Sequence, residues 1–207
     1  MPTDQRPASP GTLDDVLADA WRRLQRGARD RRHGFRLPTI ATVDADDHPA
    51  ARTVVLRAVD RDRRELACFS DARSPKIAQL RRRPWSSWTF WDRGGQVQVR
   101  ACGPTHLQGP DDDDEAAHAW ASMDPRSRRP WFAEAAPGLE LDAPGDGLPP
   151  DLDPDDPSVE QLARARSAFR RVGVIVEQLD WLSLRGEHRR ARFTWRGGEC
   201  TSSWCRP

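Results

Sequence analysis

The residues able to do chemistry gather between Arg52 and Gly103. R-T-V-V-L-R opens the stretch (Arg52 to Arg57). C-F-S-D-A-R-S-P-K follows (Cys68 to Lys76), and F-W-D-R-G-G-Q-V-Q-V-R-A-C-G closes it (Phe90 to Gly103). Together they supply cationic side chains, hydroxyls and an amide, which is what a phosphate and a planar heterocycle need from a protein. A phosphate is held by Arg, Lys, hydroxyls and the free amides of a helix N-terminus. Each charge-assisted hydrogen bond contributes roughly 1.5–3 kcal/mol, so several converging on one phosphate anchor it. The corner from Ser70 to Lys76 offers the whole set, with Ser74 and the helix amides facing one point and Arg73 and Lys76 flanking it. A plain capped helix has the same look, so the corner does not decide alone. Gln98 carries donor and acceptor in one side chain, which suits the alternating edge of a pyrimidine-type ring. An ordinary polar strand residue would read the same way.

A second candidate is W-L-S-L-R-G-E-H-R-R-A-R-F (Trp181 to Phe193). Trp181 is able to stack on a ring, and Arg189, Arg190 and Arg192 form a cationic cluster. A basic patch beside Trp also suits single-stranded nucleic acid. Asp180 and Glu187 interrupt it, and the chain's net charge is only +1, which disfavours that use.

These residues need elements to position them. Thr12 and Asp15 have capping-box spacing, and Leu13, Val16, Leu17, Ala20, Trp21 and Leu24 share one helical face. That predicts a helix ending near Gly27, after a disordered leader over 1–11. Strands are predicted over 35–43, 50–60, 65–70, 85–91, 96–107, 171–184 and 189–195. Residues 74–83 form a helix with Ser74 as N-cap and Pro75 at its first position. The turn before Gln96 leaves Gly94 and Gly95 free for positive φ, and the strand after it bends at Gly103. Residues 111–123 read as a helix whose acidic start suits the dipole, and 126–136 as a second short one. Residues 137–157 read as a loop or lid. Ser158 and Gln161 cap another helix. Short strands with tight turns favour an antiparallel barrel over a parallel sheet. The whole of 12–207 reads as one domain with a helical insert near 111–170.

Composition narrows the functions. The charge near zero gives no field to recruit nucleic acid or an anionic membrane. Lys76 is the only lysine. No apolar run reaches membrane-spanning length and no signal peptide is visible, which points to the cytoplasm. Cys68, Cys102, Cys200 and Cys205 lack metal-ligand spacing and read as free thiols. Asp44, Asp46, Asp47 and His48 read as a solvated turn rather than a metal site. There is no G-x-G-x-x-G, P-loop or G-x-S-x-G.

The ordered pieces R-x-V-x-L-R, F-S-D-x-R-S-x-K, Q-V-R-x-x-G and W…R-x-R-F resemble the pyridoxamine 5'-phosphate oxidase-like flavoproteins. The resemblance covers about Leu37 to Gly103 and Val172 to Phe193. It implies a six-stranded antiparallel split β-barrel with flanking helices (α+β), binding FMN at the interface of a homodimer. It implies that Arg52 and Lys76 bind the FMN phosphate, with Arg73 and Ser74 beside it. Thr53, Val54, Val55, Leu56 and Arg57 would line the isoalloxazine, next to Phe69 and Ser70. Gln98 would meet the flavin across the dimer interface, and Trp181 and Arg192 would complete the site. Arg57, Arg128 and Arg189 are the candidate substrate anchors. The chain departs from the oxidase pattern in having Arg57 where a Lys is usual. It has no Tyr for the family's Tyr–Arg–Ser set, and Arg189, Arg190 and Ala191 stand in place of R-L-H. The flavin half is kept and the vitamin-B6 half is altered. The implied function is a broad FMN-dependent oxidoreductase acting on a small molecule. The alternatives are a non-catalytic flavin or B6-phosphate carrier and a barrel serving only as an interaction protein.

Overall fold

A computed structural model describes residues 10–207. The predicted leader over 1–11 therefore lies almost wholly outside the described residues. Helix α1 (Leu13–Arg29) starts with reciprocal hydrogen bonds between Thr12 and Asp15. It does not stop at Gly27. That glycine lies against Phe35, whose Cβ would stand 2.8 Å from a Cβ added there. Gly27 thus lets the helix pack closely on the chain that follows it.

Ten strands follow among the described residues. They are β1 (Thr39–Val43), β2 (Pro49–Thr53), β3 (Ala58–Asp60), β4 (Glu65–Asp71), β5 (Trp85–Asp92), β6 (Val97–Gln108), β7 (Phe169–Ile175), β8 (Gln178–Ser183), β9 (Arg189–Arg196) and β10 (Glu199–Cys205). Helix α2 (Pro75–Arg82) joins β4 to β5. The insert between β6 and β7 holds α3 (Asp114–Ala121), a 3-10 helix (Pro125–Phe132) and α4 (Val159–Ala168). Residues 137–157 contribute no helix or strand.

Every strand pair is antiparallel. The order is β10-β9-β8-β6-β5-β1-β2, with a branch through β7 and β4 to β3. Strand β6 makes the branch, because its first half pairs with β5 and β8 and its second half with β7. Gly103 sits at the changeover, where a Cβ would collide with the Ile175 carbonyl oxygen. The close approach leaves no room for a side chain at that position.

The count of six strands is corrected to ten. The run 50–60 breaks because 54–57 crosses from one ladder to another. Val54 N–H donates to Pro38 O (2.9 Å), whereas Arg57 N–H donates to Ala67 O (2.8 Å). The run 171–184 breaks at 176–177, where Val176 N–H donates to Arg64 O and Glu177 N–H to Cys102 O. The segment after Gly198 adds β10. Before β1, the chain makes a 3-10 turn (Gly34–Arg36) instead of strand. Gln96, with φ 52°, takes the left-handed position expected of Gly94 or Gly95.

Two apolar cores result. The larger lies inside the curled sheet and under α1, around Trp21, Phe35, Trp88, Phe90, Trp181 and Phe193. The smaller joins the insert to β7 through Trp120, Trp131, Phe132 and Phe169, with Phe69 packed against it.

Candidate cofactor site

The end of β4 and the start of α2 form one corner. Lys76 Nζ donates to Ser70 Oγ (3.0 Å) and Ser74 Oγ (2.8 Å). Ser74 occupies the N-cap position, yet its side chain makes no capping bond. The Ser74 hydroxyl instead accepts from the Lys76 ammonium. Arg52 reaches the adjacent end of the sheet from β2. Its Nη1 donates to Thr42 Oγ1 (2.5 Å) and Ala50 O (3.0 Å), and its Nη2 to Gln79 Oε1 (3.1 Å). Gln79 lies three residues after Lys76 on α2 and also accepts from Thr42 Oγ1 (2.6 Å).

No carboxylate among the described residues forms an ion pair with Lys76 or Arg52. Burial, with Arg52's charge adding to it, holds the Lys76 ammonium below its ordinary pKa. Burial lowers Arg52 as well. Two partly buried cations that face hydroxyls and an amide fit a phosphate group.

The crossing segment supplies a second fit. The Val55 N–H and the carbonyls of Val54 and Val55 have no hydrogen-bond partner among the described residues. They offer donor and acceptors in alternation, as the edge of a flavin ring requires. Leu56 turns its side chain fully into the core, and Thr53 stays exposed at the end of β2. Arg57 lies over the Phe69 ring, 5.5 Å from its centroid. Burial, and then the charges of Arg36 and Arg31, hold Arg57 below its ordinary pKa.

The other expected site residues lie elsewhere. Arg73 turns toward the insert, not toward the Lys76 corner. Its Nε and Nη2 grip Asp71 (3.0 and 2.7 Å), while Nη1 and Nη2 donate to the carbonyls of Glu134 and Ala133 (each 2.9 Å). Gln98 projects from the outward face of β6, beside Arg100 and Cys102. Arg192 lies on the same face, 3.7 Å from Asp180 Oδ2, which Arg190 and Arg100 also hold. Arg52 stands on the opposite face, paired with the buried Ile40. One chain thus gives the Lys76 corner and the Gln98 face to different sides of the sheet. Trp181, expected to complete the site with Arg192, does not share that face. It is 1% exposed in the core, between Val99 and Ala191, because side chains alternate along β8.

Arg128 donates to the Trp120 and Ala121 carbonyls (3.0 Å each) and lies over Trp120. Arg189 pairs with Glu187 (2.9 Å) and donates to Pro10 O. At the turn before β2, Asp44, Asp46 and His48 lie within 4.8 Å of one another, and the last two are exposed. Asp44 Oδ1 there accepts from the Asp46 and His48 amides.

Sequence reasoning missed Thr42 and Gln79, although Gln79 has helical spacing from Lys76. It missed Trp131, whose Nε1 donates to Ser70 O (3.0 Å). It also missed a buried cluster in which Glu65 accepts from His106 (3.0 Å) and Arg171 (2.5 Å). Nothing local in the sequence links those three.

Residues 18–109 match the model of the pyridoxamine 5'-phosphate oxidase FMN-binding domain. Relatives named pyridoxine/pyridoxamine 5'-phosphate oxidase include one from Gloeothece citriformis, 35% identical over 86 residues. Another, from Nostoc punctiforme, is 40% identical over 65 residues. The matched parts cover 41% and 31% of this chain, and 39% and 29% of those relatives. A solved pyridoxamine 5'-phosphate oxidase-related, FMN-binding protein from Nostoc punctiforme superposes with TM-score 0.70 at 25% identity. That match covers 96% of this chain and 99% of the other. PhzG from Burkholderia lata, solved with tetrahydrophenazine-1-carboxylic acid, shares the fold at TM-score 0.65 and 17% identity, over 99% and 95% of the two chains. Over residues 18–109 the chain is thus similar to the pyridoxamine 5'-phosphate oxidase FMN-binding domain, whose cofactor is FMN.

Proposed function

We propose that this chain is an FMN-dependent oxidoreductase acting on a small molecule, with its sites completed between two copies. The observation that carries the reading is the pair of partly buried cations, Lys76 and Arg52, ordered on hydroxyls and an amide with no carboxylate between them. Lys76, Arg52 and Ser74 hold the phosphate. The backbone of Val54 and Val55 meets the ring edge, and Phe69 and Arg57 stand beside it. When bound, FMN supplies a hydride acceptor at N5 and a route for electrons to oxygen or another acceptor. The protein's part is to fix the ring and to exclude water from it.

The homodimer is supported by the position of Gln98 and Arg192 on a sheet face turned away from the Arg52 face. A second copy would bring that face to the first copy's flavin. The barrel itself is proposed as the split type, closed by packing between the two branches of the sheet. A cytoplasmic location is supported by four free thiols. No helix among the described residues is long and apolar enough to cross a membrane.

The test is anaerobic addition of pyridoxamine and pyridoxine phosphates, then of other small reductants, to FMN-loaded protein. Bleaching of the flavin band by one of them, and its return with oxygen, is the expected result. A stable yellow complex that none of them reduces would instead favour the carrier reading. The engagement of Arg128 and Arg189 by the protein's own groups gives that second reading some support.

A further inference from the structure

We infer that the substrate side of this site accepts a planar ring bearing a carboxylate, anchored by Arg57, in preference to a phosphate ester. The inference rests on the FMN reading above, which assigns Lys76 and Arg52 to the cofactor's own phosphate.

The availability of the chain's cations decides the matter. A dianionic phosphate in a partly desolvated site needs several charged donors. Arg128 is spent on two carbonyls and the Trp120 ring. Arg129 pairs with Asp146, and Arg73 is locked between Asp71 and two insert carbonyls. Arg189 pairs with Glu187, and Arg36 donates to the Ala28 and Leu56 carbonyls. Arg31 lies near Arg57 and adds positive potential, but it is exposed on the loop after α1. Arg57 has no ion pair or side-chain hydrogen bond among the described residues, and it is half-buried.

One guanidinium satisfies one carboxylate through two parallel hydrogen bonds, and it does so in a plane. Phe69 lies under the Arg57 guanidinium carbon, its ring centroid 5.5 Å away. Phe69 packs edge-on against Phe169 at 5.0 Å, which continues into Trp120 and Trp131. The site therefore presents one flat cation on an aromatic wall. The insert, tied to Arg73 through the Glu134 and Ala133 carbonyls, adds no unpaired cation here, because its Arg129 is held by Asp146.

The test uses the protein loaded with FMN, its occupancy read from the visible band before any ligand is added. 4-Pyridoxate and pyridoxal 5'-phosphate are then titrated separately, with binding followed by calorimetry and by the flavin difference spectrum. These ligands share a pyridine ring and differ in carrying a carboxylate or a phosphate ester. Binding of 4-pyridoxate at least tenfold tighter than pyridoxal 5'-phosphate is expected. Arg57→Lys, which keeps the charge but loses the fork, should weaken 4-pyridoxate at least tenfold with FMN still bound. Equal or tighter binding of pyridoxal 5'-phosphate, binding of neither ligand, or an Arg57→Lys protein with unchanged 4-pyridoxate affinity would overturn the inference while leaving the FMN reading in place. Failure to take up FMN in the first step would overturn the cofactor reading itself.

Discussion

At the scale of single residues, the site turns on how Lys76 is kept charged and available. It is the chain's only lysine, and it faces two hydroxyls where an acidic partner would have neutralised it. Lys76→Ala should weaken FMN at least tenfold, since one charge-assisted contact to phosphate contributes roughly 1.5–3 kcal/mol. Equilibrium dialysis against FMN measures this, and an unchanged dissociation constant would remove Lys76 from the phosphate site. Because the Lys76 pKa is lowered, the ammonium is complete at low pH and is lost earlier than usual as pH rises. FMN affinity should therefore decline at a lower alkaline pH than an ordinary lysine would set in the wild type. Lys76→Arg, with a guanidinium that stays protonated, should keep its affinity over the same range. Parallel alkaline profiles for the two proteins would contradict this assignment. Much of the corner was legible in advance, because Ser74, Pro75 and Lys76 announce a helix start with a cation in its first turn. The direction of Arg73 was not. Its partners are the insert carbonyls of Ala133 and Glu134, sixty residues away in sequence and invisible to local spacing.

At the scale of elements, the strands were legible by alternation and their interruptions were not. Residues 50–60 and 171–184 keep a β-like composition through breaks that are set only by which neighbour each backbone amide meets. The same limit hid the Glu65 cluster, which ties β4, β6 and β7 together and reaches α3 through Arg171 and Glu115. Gly173 makes room for it, since a Cβ there would run into His106 Nε2 and Glu65 Oε1. Gly173→Ala should cost about 1–3 kcal/mol of stability in urea unfolding, as overpacking does; a neutral result would mean that the pair shifts freely. Burial pushes the Glu65 carboxyl up, but hydrogen bonds from His106 and Arg171, with their charges, bring it down to about 2. A carboxylate held below its ordinary value stabilises the fold fully above pH about 4.5. That contribution, on the order of 3 kcal/mol, is lost as pH falls toward about 2. Glu65→Gln should be less stable at neutral pH and should lose this part of the acid dependence. An acid-unfolding curve that keeps its slope in the variant would place the effect on other carboxylates.

At the scale of the whole molecule, the sheet curls around one core while the insert builds a second beside the cofactor corner. Arg73 is the clamp between them. Arg73→Ala should increase proteolysis and amide exchange in residues 133–148 while leaving β4 and β6 protected. Equal protection throughout would show that the small apolar core alone holds the insert. The similarity to the FMN-binding domain was readable from ordered motifs, three of which lie within the matched residues 18–109. The proposed role of Arg192 was less so, because it lies on the opposite sheet face from Arg52. The most direct measurement is a titration of purified apoprotein with FMN, followed by visible absorbance and set beside the Arg52→Ala, Lys76→Ala double variant. A shifted, vibronically structured flavin band that saturates at one FMN per chain in the wild type, and is lost at the same concentrations in the double variant, is the predicted result. Equal uptake by both proteins, or no uptake by the wild type, would contradict it.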